Sequence, residues 1–175
     1  MEFDVGGVEN PQSRSTTLQS HPIRETHMKF VVFIKATSNT EKGIFPPNSD
    51  KLFEAMGKFN EELVKAGVMQ DGDGLKPSSA GKRVEFSDEG ATMVIDGPFA
   101  ETKELVAGYW IWNVDSLEEA VRWAKRCPNP MPGEKGVLEI RPCYTMEDLA
   151  HLVPKAEFER EARLRGEVAA QQKVK

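Results

Sequence analysis

A chain of 175 residues is long enough for one globular domain with a real core and some decoration. Its 39% apolar and 29% charged residues exclude a disordered chain, and a net charge of −5 argues against non-specific nucleic-acid binding, which runs on clustered Lys and Arg. No apolar run is long enough to cross a bilayer as a helix.

Residues 1–27 contain Ser, Thr, Gln and two prolines, Pro11 and Pro22, and lack the apolar h-region of a secretory signal. They read as a disordered extension or an over-called start with no role in the fold. The folded part is expected over 28–146. It opens with Lys29–Lys35, a β-branched and aromatic strand that is apolar at both parities, so both of its faces need cover. Residues 37–47 read as a loop stopped by Pro46-Pro47.

Asn48-Ser49-Asp50 supplies N-cap candidates for a helix in which Leu52, Met56, Phe59 and Leu63 recur at steps of three and four. Gly67 is its expected C′ residue. Residues 68–75 read as extended, and residues 82–86 and 91–95 as a hairpin around Ser87-Asp88-Glu89-Gly90. The longest predicted strand covers 105–114, with Val106, Gly108, Trp110 and Trp112 on one face and Tyr109 and Ile111 on the other.

A second helix is predicted over 116–127, opened by a Ser116-x-x-Glu119 capping box and stopped by Pro128. A closing strand follows at 137–142. Residues 147–175 form a helical tail, expected to dock at one end and fray at the other. The order strand, helix, strand, hairpin insertion, strand, helix, strand is that of a split βαβ, ferredoxin-like α+β sandwich. Its antiparallel sheet carries two helices on one face. The second face is apolar too, and another subunit is the economical cover.

Asp96-Gly97-Pro98-Phe99-Ala100-Glu101-Thr102-Lys103-Glu104 is the most specific run in the chain. An acid before Gly-Pro at a strand end makes a sharp turn and holds a carboxylate at the mouth of the sheet. Asp96 therefore has two readings, a cap on the turn amides or a general acid–base group at a cleft. Arg83 with Glu101, Lys103 and Glu104 can border a pocket for a carboxylate or phosphate, although ordinary surface ion pairs explain the same residues. Tyr109 and Trp110 can line an aromatic pocket or belong to core and interface.

Other signals fail. Asp71-Gly72-Asp73-Gly74 lacks the remaining ligands of a calcium loop, and Gly72-x-Gly74 has no third glycine opening a helix. No metal and no cofactor is expected. Cys127 and Cys143 are far apart, form no Cys-x-x-Cys, and read as free thiols of a protein in a reducing cytoplasm.

The run Asp96 to Glu104 resembles the signature of the YCII-related (DGPF) family of small bacterial proteins. Asn60-Glu61-Glu62-Leu63 before Ala66-Gly67-Val68, Gly74-Leu75 before Pro77-Ser78-Ser79, Ala124-Lys125-Arg126-Cys127-Pro128 and Glu139-Ile140-Arg141-Pro142 extend the resemblance over roughly 28–144. The resemblance implies sheet-to-sheet homodimers, an architecture called the dimeric α/β barrel. It also implies a His–Asp pair in some members, with the histidine falling near Met56. Here the histidines are His21, His27 and His151, outside the resembling region. Two functions follow as expectations. One is a homodimeric small-molecule-binding or regulatory accessory protein, with an alternative sigma factor as the partner the resemblance implies. The other is a lyase- or isomerase-type enzyme using Asp96 for proton transfer.

Overall fold

The computed structural model describes residues 27–100 and 104–172. The extension expected over 1–27 lies, His27 apart, outside the described residues. In chain order the elements are β1 (Met28–Lys35), α1 (Ser38–Glu41), α2 (Ser49–Lys65), β2 (Met69–Gly74), a 3-10 turn (Ser78–Ala80), β3 (Lys82–Phe86), β4 (Thr92–Asp96), β5 (Val106–Val114), α3 (Leu117–Ala124), β6 (Leu138–Pro142), α4 (Met146–Leu149) and α5 (Lys155–Gln172).

Four strands form one antiparallel sheet in the order β2-β5-β1-β6. With β3 and β4 set aside as an inserted hairpin, this is the ferredoxin-like α+β arrangement. The apolar run of β1 splits by parity. Phe30 and Val32 are fully buried on the helix side, while Val31 and Phe33 are half-buried on the other face.

The core lies between sheet and helices: Phe30, Val32, Trp110, Trp112 and Val114 meet Phe59, Leu63 and Ala120. Each fully buried Phe, Leu or Val stabilises the fold by about 1.5–3 kcal/mol. The Phe59 ring packs edge-on against both indoles, at 6.1 Å from Trp110 and 6.4 Å from Trp112.

The stripe of α2 divides along its length. Phe59 and Leu63 enter the core, whereas Leu52 and Met56 stay half-buried one or two turns earlier. The helix ends in a Schellman motif. Gly67 has φ +71, its N–H donates to the Val64 carbonyl at 3.0 Å, and the Val68 N–H donates to the Leu63 carbonyl at 2.9 Å. Its start is less regular, because Asn48 makes no side-chain cap bond.

Four local readings are corrected. The predicted loop 37–47 contains α1, a single turn closed by a reciprocal Thr37–Thr40 capping box. Val106 does not share the face of Trp110. The pairing passes from Ile34↔Gly108 to Lys35↔Val106, so Ala107 is an extra residue, a bulge that turns Val106 over beside Lys35. At α3, the Ser116 hydroxyl accepts from the Glu119 N–H, but the Glu119 carboxylate accepts from the Asp115 N–H, so the box is only half formed. That helix ends at Ala124, earlier than Pro128 requires.

The β3–β4 hairpin is a separate two-stranded sheet with exposed Val84, Phe86, Met93 and Val94. Beyond Phe158, α5 is exposed through residue 171. Among the described residues no helix is long and apolar enough to cross a membrane.

Candidate functional site

A cavity of about 750 Å³ opens where the first half of α2 leaves the core and passes over the β2–β5 edge of the sheet. Leu52, Phe53 and Met56 of α2 form one wall, and Trp110 of β5 forms the floor. Ile44, Phe45 and the Pro46-Pro47 turn close one side, and Pro130, Met131 and Pro132 close another. The walls are therefore apolar with a few polar groups set in them, the usual make-up of a small-molecule site.

Two features fix the floor. Gly72, paired with Trp110 in the sheet, has no room for a side chain. A Cβ there would stand 2.6 Å from Trp110 Cδ1 and 2.9 Å from the Tyr109 carbonyl oxygen. The indole thus lies directly over the β2 backbone. Its Nε1–H donates to Asn60 Oδ1 at 3.0 Å, joining α2 to the sheet across the cavity. An indole nitrogen only donates, so this bond also sets which end of the Asn60 amide faces Trp110.

The rim is tied together by polar side chains from distant segments. The Thr37 hydroxyl, which caps α1, donates to Glu134 Oε2 at 2.6 Å and so fastens α1 to the Met131–Glu134 loop. On the other side the Glu41 carboxylate accepts from the Ser78 N–H at 3.1 Å and from the Ser78 hydroxyl. Ser78 Oγ in turn accepts from the Phe99 N–H at 3.2 Å. The turn after β4 is thereby seated on the 3-10 turn, with Arg83 stacked 4.1 Å above the Phe99 ring. The Gly97–Pro98 peptide bond is cis.

The site residues expected from sequence fall in several places. Trp110 is on the cavity floor. Tyr109 touches the same lining, although strand alternation assigns its side chain to the opposite face of the sheet. Asp96 ends β4 on the exposed hairpin, where it is ion-paired with its cross-strand partner Lys82. Among the described residues its carboxylate bonds that ammonium and not the amides of its own turn. Arg83 sits on Phe99, and neither it nor Asp96 lines the cavity. Glu101 and Lys103 lie outside the described residues. Glu104 borders a second, shallower hollow with Lys35, Glu139 and Arg141 on the open sheet face.

Met56, the position where the family resemblance places a histidine, is a cavity wall residue. A His–Asp contact does exist, from His27 Nδ1 to Asp115 Oδ1 at 2.7 Å. It lies at the far end of the sheet, seven β1 residues or roughly 23 Å from Ile34 on the cavity edge. Cys127 packs at the margin of the core, and burial pushes its thiol up to about 11. Among the described residues no group of three or more His, Cys, Asp or Glu could hold a metal ion.

Asn60, Glu41, Ser78 and Glu134 were not singled out as site residues by sequence. For Asn60 the available signal was a polar residue beside the apolar stripe of α2. For the rim residues there was none, since each is defined by a partner far along the chain.

These features define the class: a single ferredoxin-like α+β unit with an inserted hairpin and a cavity between its main helix and the sheet edge. The chain belongs to the YCII-related domain family, whose model matches residues 28–147. It is also 33% identical over 93 residues to an uncharacterized protein of Rhizobium meliloti (strain 1021), an alignment that covers 53% of this chain and 73% of that one.

Proposed function

We propose that the protein is a homodimeric small-molecule-binding protein whose ligand occupies the α2–Trp110 cavity. The observation that carries this reading is the cavity itself, about 750 Å³ with largely apolar walls, within the ~300–1,000 Å³ range of small-molecule sites. Its lining contains no histidine or cysteine, and Met56 offers a thioether where a proton-transfer group would be wanted. Of the two carboxylates of the lining, Glu134 is engaged by the Thr37 hydroxyl and Asp73 lies exposed on the edge strand β2. This composition supports binding over turnover.

The dimer reading rests on the open face of the sheet. Val31, Phe33 and Ile111 form an apolar strip there beside Tyr109, only half-buried by their own chain. A second copy laid sheet to sheet would remove that strip from water.

A thermal-shift screen of small aromatic and aliphatic metabolites on wild type and Met56→Trp tests the binding reading. A ligand at a hundred times its dissociation constant adds about 2.7 kcal/mol, a shift of several degrees. Hits on wild type that vanish in the variant support the cavity. Hits that persist undiminished place the ligand elsewhere, and a blank screen with broad chemical coverage removes the reading.

A further inference from the structure

We infer that the ligand is a ring-bearing molecule with a hydrogen-bond-accepting oxygen, a ketone, ester or carboxylate, received by the side-chain amide of Asn60. This rests on the cavity-binding function proposed above and adds the class of ligand to it.

Asn60 has one acceptor oxygen and two amide hydrogens. The oxygen is committed, because Trp110 Nε1–H donates to it at 3.0 Å and an indole can bond in no other sense. The amide is therefore fixed the other way round, with Nδ2 as its free end. No acceptor bonds Nδ2 among the described residues, and Asn60 belongs to the cavity lining. A half-buried donor set among apolar walls favours a ligand that brings an oxygen to it, since a ligand without one leaves those hydrogens desolvated and unpaired.

The surroundings select the rest of the molecule. Trp110 on the floor and the Phe45–Phe53 pair at the mouth, 5.9 Å between ring centroids, offer flat apolar surfaces suited to a ring. The donor end of Asn60 argues against an ammonium ligand, which would bring hydrogens where an acceptor is wanted.

Equilibrium dialysis with acetophenone and α-methylstyrene tests the assignment, because the two differ essentially by carbonyl oxygen against methylene. Wild type should bind the ketone about tenfold more tightly, the scale of one hydrogen bond. Asn60→Asp keeps an oxygen for Trp110 and removes the donor, so it should bind both probes within twofold of each other. Near-UV circular dichroism confirms that Trp110 keeps its setting. Equal binding of the two probes to wild type would overturn the ligand class and leave the cavity reading standing. Binding of neither would overturn the ligand class, and the broad thermal-shift screen then decides the cavity reading separately.

Discussion

Gly97 and Ser78 touch so closely that Gly97 cannot carry a side chain. A Cβ on Gly97 would stand 2.7 Å from the Ser78 carbonyl carbon and nearer still to its oxygen. Backbone atoms cannot rotate away as a flexible side chain can. Two further bonds hold the same contact, Gly97 N–H to the Gly81 carbonyl at 3.1 Å and Phe99 N–H to Ser78 Oγ. The most recognisable run of the chain thus acts here through its backbone, as a brace between the hairpin and the rim of the cavity.

Gly97→Ala should lower stability by about 1–3 kcal/mol, the usual range for an overpacked contact. Urea denaturation measures the loss, and hydrogen exchange should place it in β3, β4 and the 3-10 turn. A variant with the stability and protection of wild type would show that the contact is not tight.

Asp96→Asn should change stability by less than about 1 kcal/mol, because its ion pair with Lys82 is exposed and screened. The same variant bears on the enzyme reading. If a turnover assay exists for a ligand found by screening, full activity in Asp96→Asn is the expected result. Loss of turnover with unchanged ligand affinity would make Asp96 the proton-transfer group.

Gly72→Ala should displace the Trp110 ring, since the new methyl would lie 2.6 Å from Cδ1. The Asn60–Trp110 bond then stretches or breaks. The expected signature is a cost of about 1–3 kcal/mol together with a shifted tryptophan emission and weakened ligand binding. Gly74→Ala is the control for stability and tryptophan emission, because nothing stands within 4 Å of a Cβ there.

Phe33→Asp or Ile111→Asp should convert a sheet-to-sheet dimer into a folded monomer, since each places a charge on the open face. Sedimentation velocity at micromolar concentration reads the change. A wild type that sediments as a monomer would contradict the dimer directly.

Cys127 should resist alkylation near neutral pH. Burial raises its thiol from 9.0 to about 11, so at pH 8 the thiolate fraction falls about a hundredfold below that of an ordinary thiol. The folded state keeps this proton longer than the unfolded one, so the associated stability is present below pH 9 and is lost as pH rises towards about 11. Mass-resolved iodoacetamide labelling against pH checks the first point and thermal melts between pH 8 and 11 the second.

The fold was legible because its main elements carry strong local patterns. The steps at Leu52, Met56, Phe59 and Leu63 define α2, Gly67 ends it, and the β-branched run of β1 needs little context. What escaped depends on remote partners. One helical turn at α1 is held partly by Glu134, 97 residues away. The Ala107 bulge, which reverses Val106, appears only once β5 is paired with β1.

The site was less legible for the same reason. Trp110 stood out by type, but Asn60 becomes a site residue only when the indole takes its oxygen. Asp96 drew attention as a carboxylate, while the tight contact in its turn is made by the glycine beside it.

A small molecule in the α2–Trp110 cavity would sit against methionine side chains that report on it. Among the seven methionines of the chain, Met56 and Met131 line it and Met28, Met93 and Met146 do not. Methyl spectra of methionine-labelled protein, assigned with single Met→Leu variants, read that difference directly. Titration with a ligand found by screening should move the Met56 and Met131 signals and leave the other three in place. Saturable binding that moves Met93 or Met146 while Met56 and Met131 stay still would contradict the account.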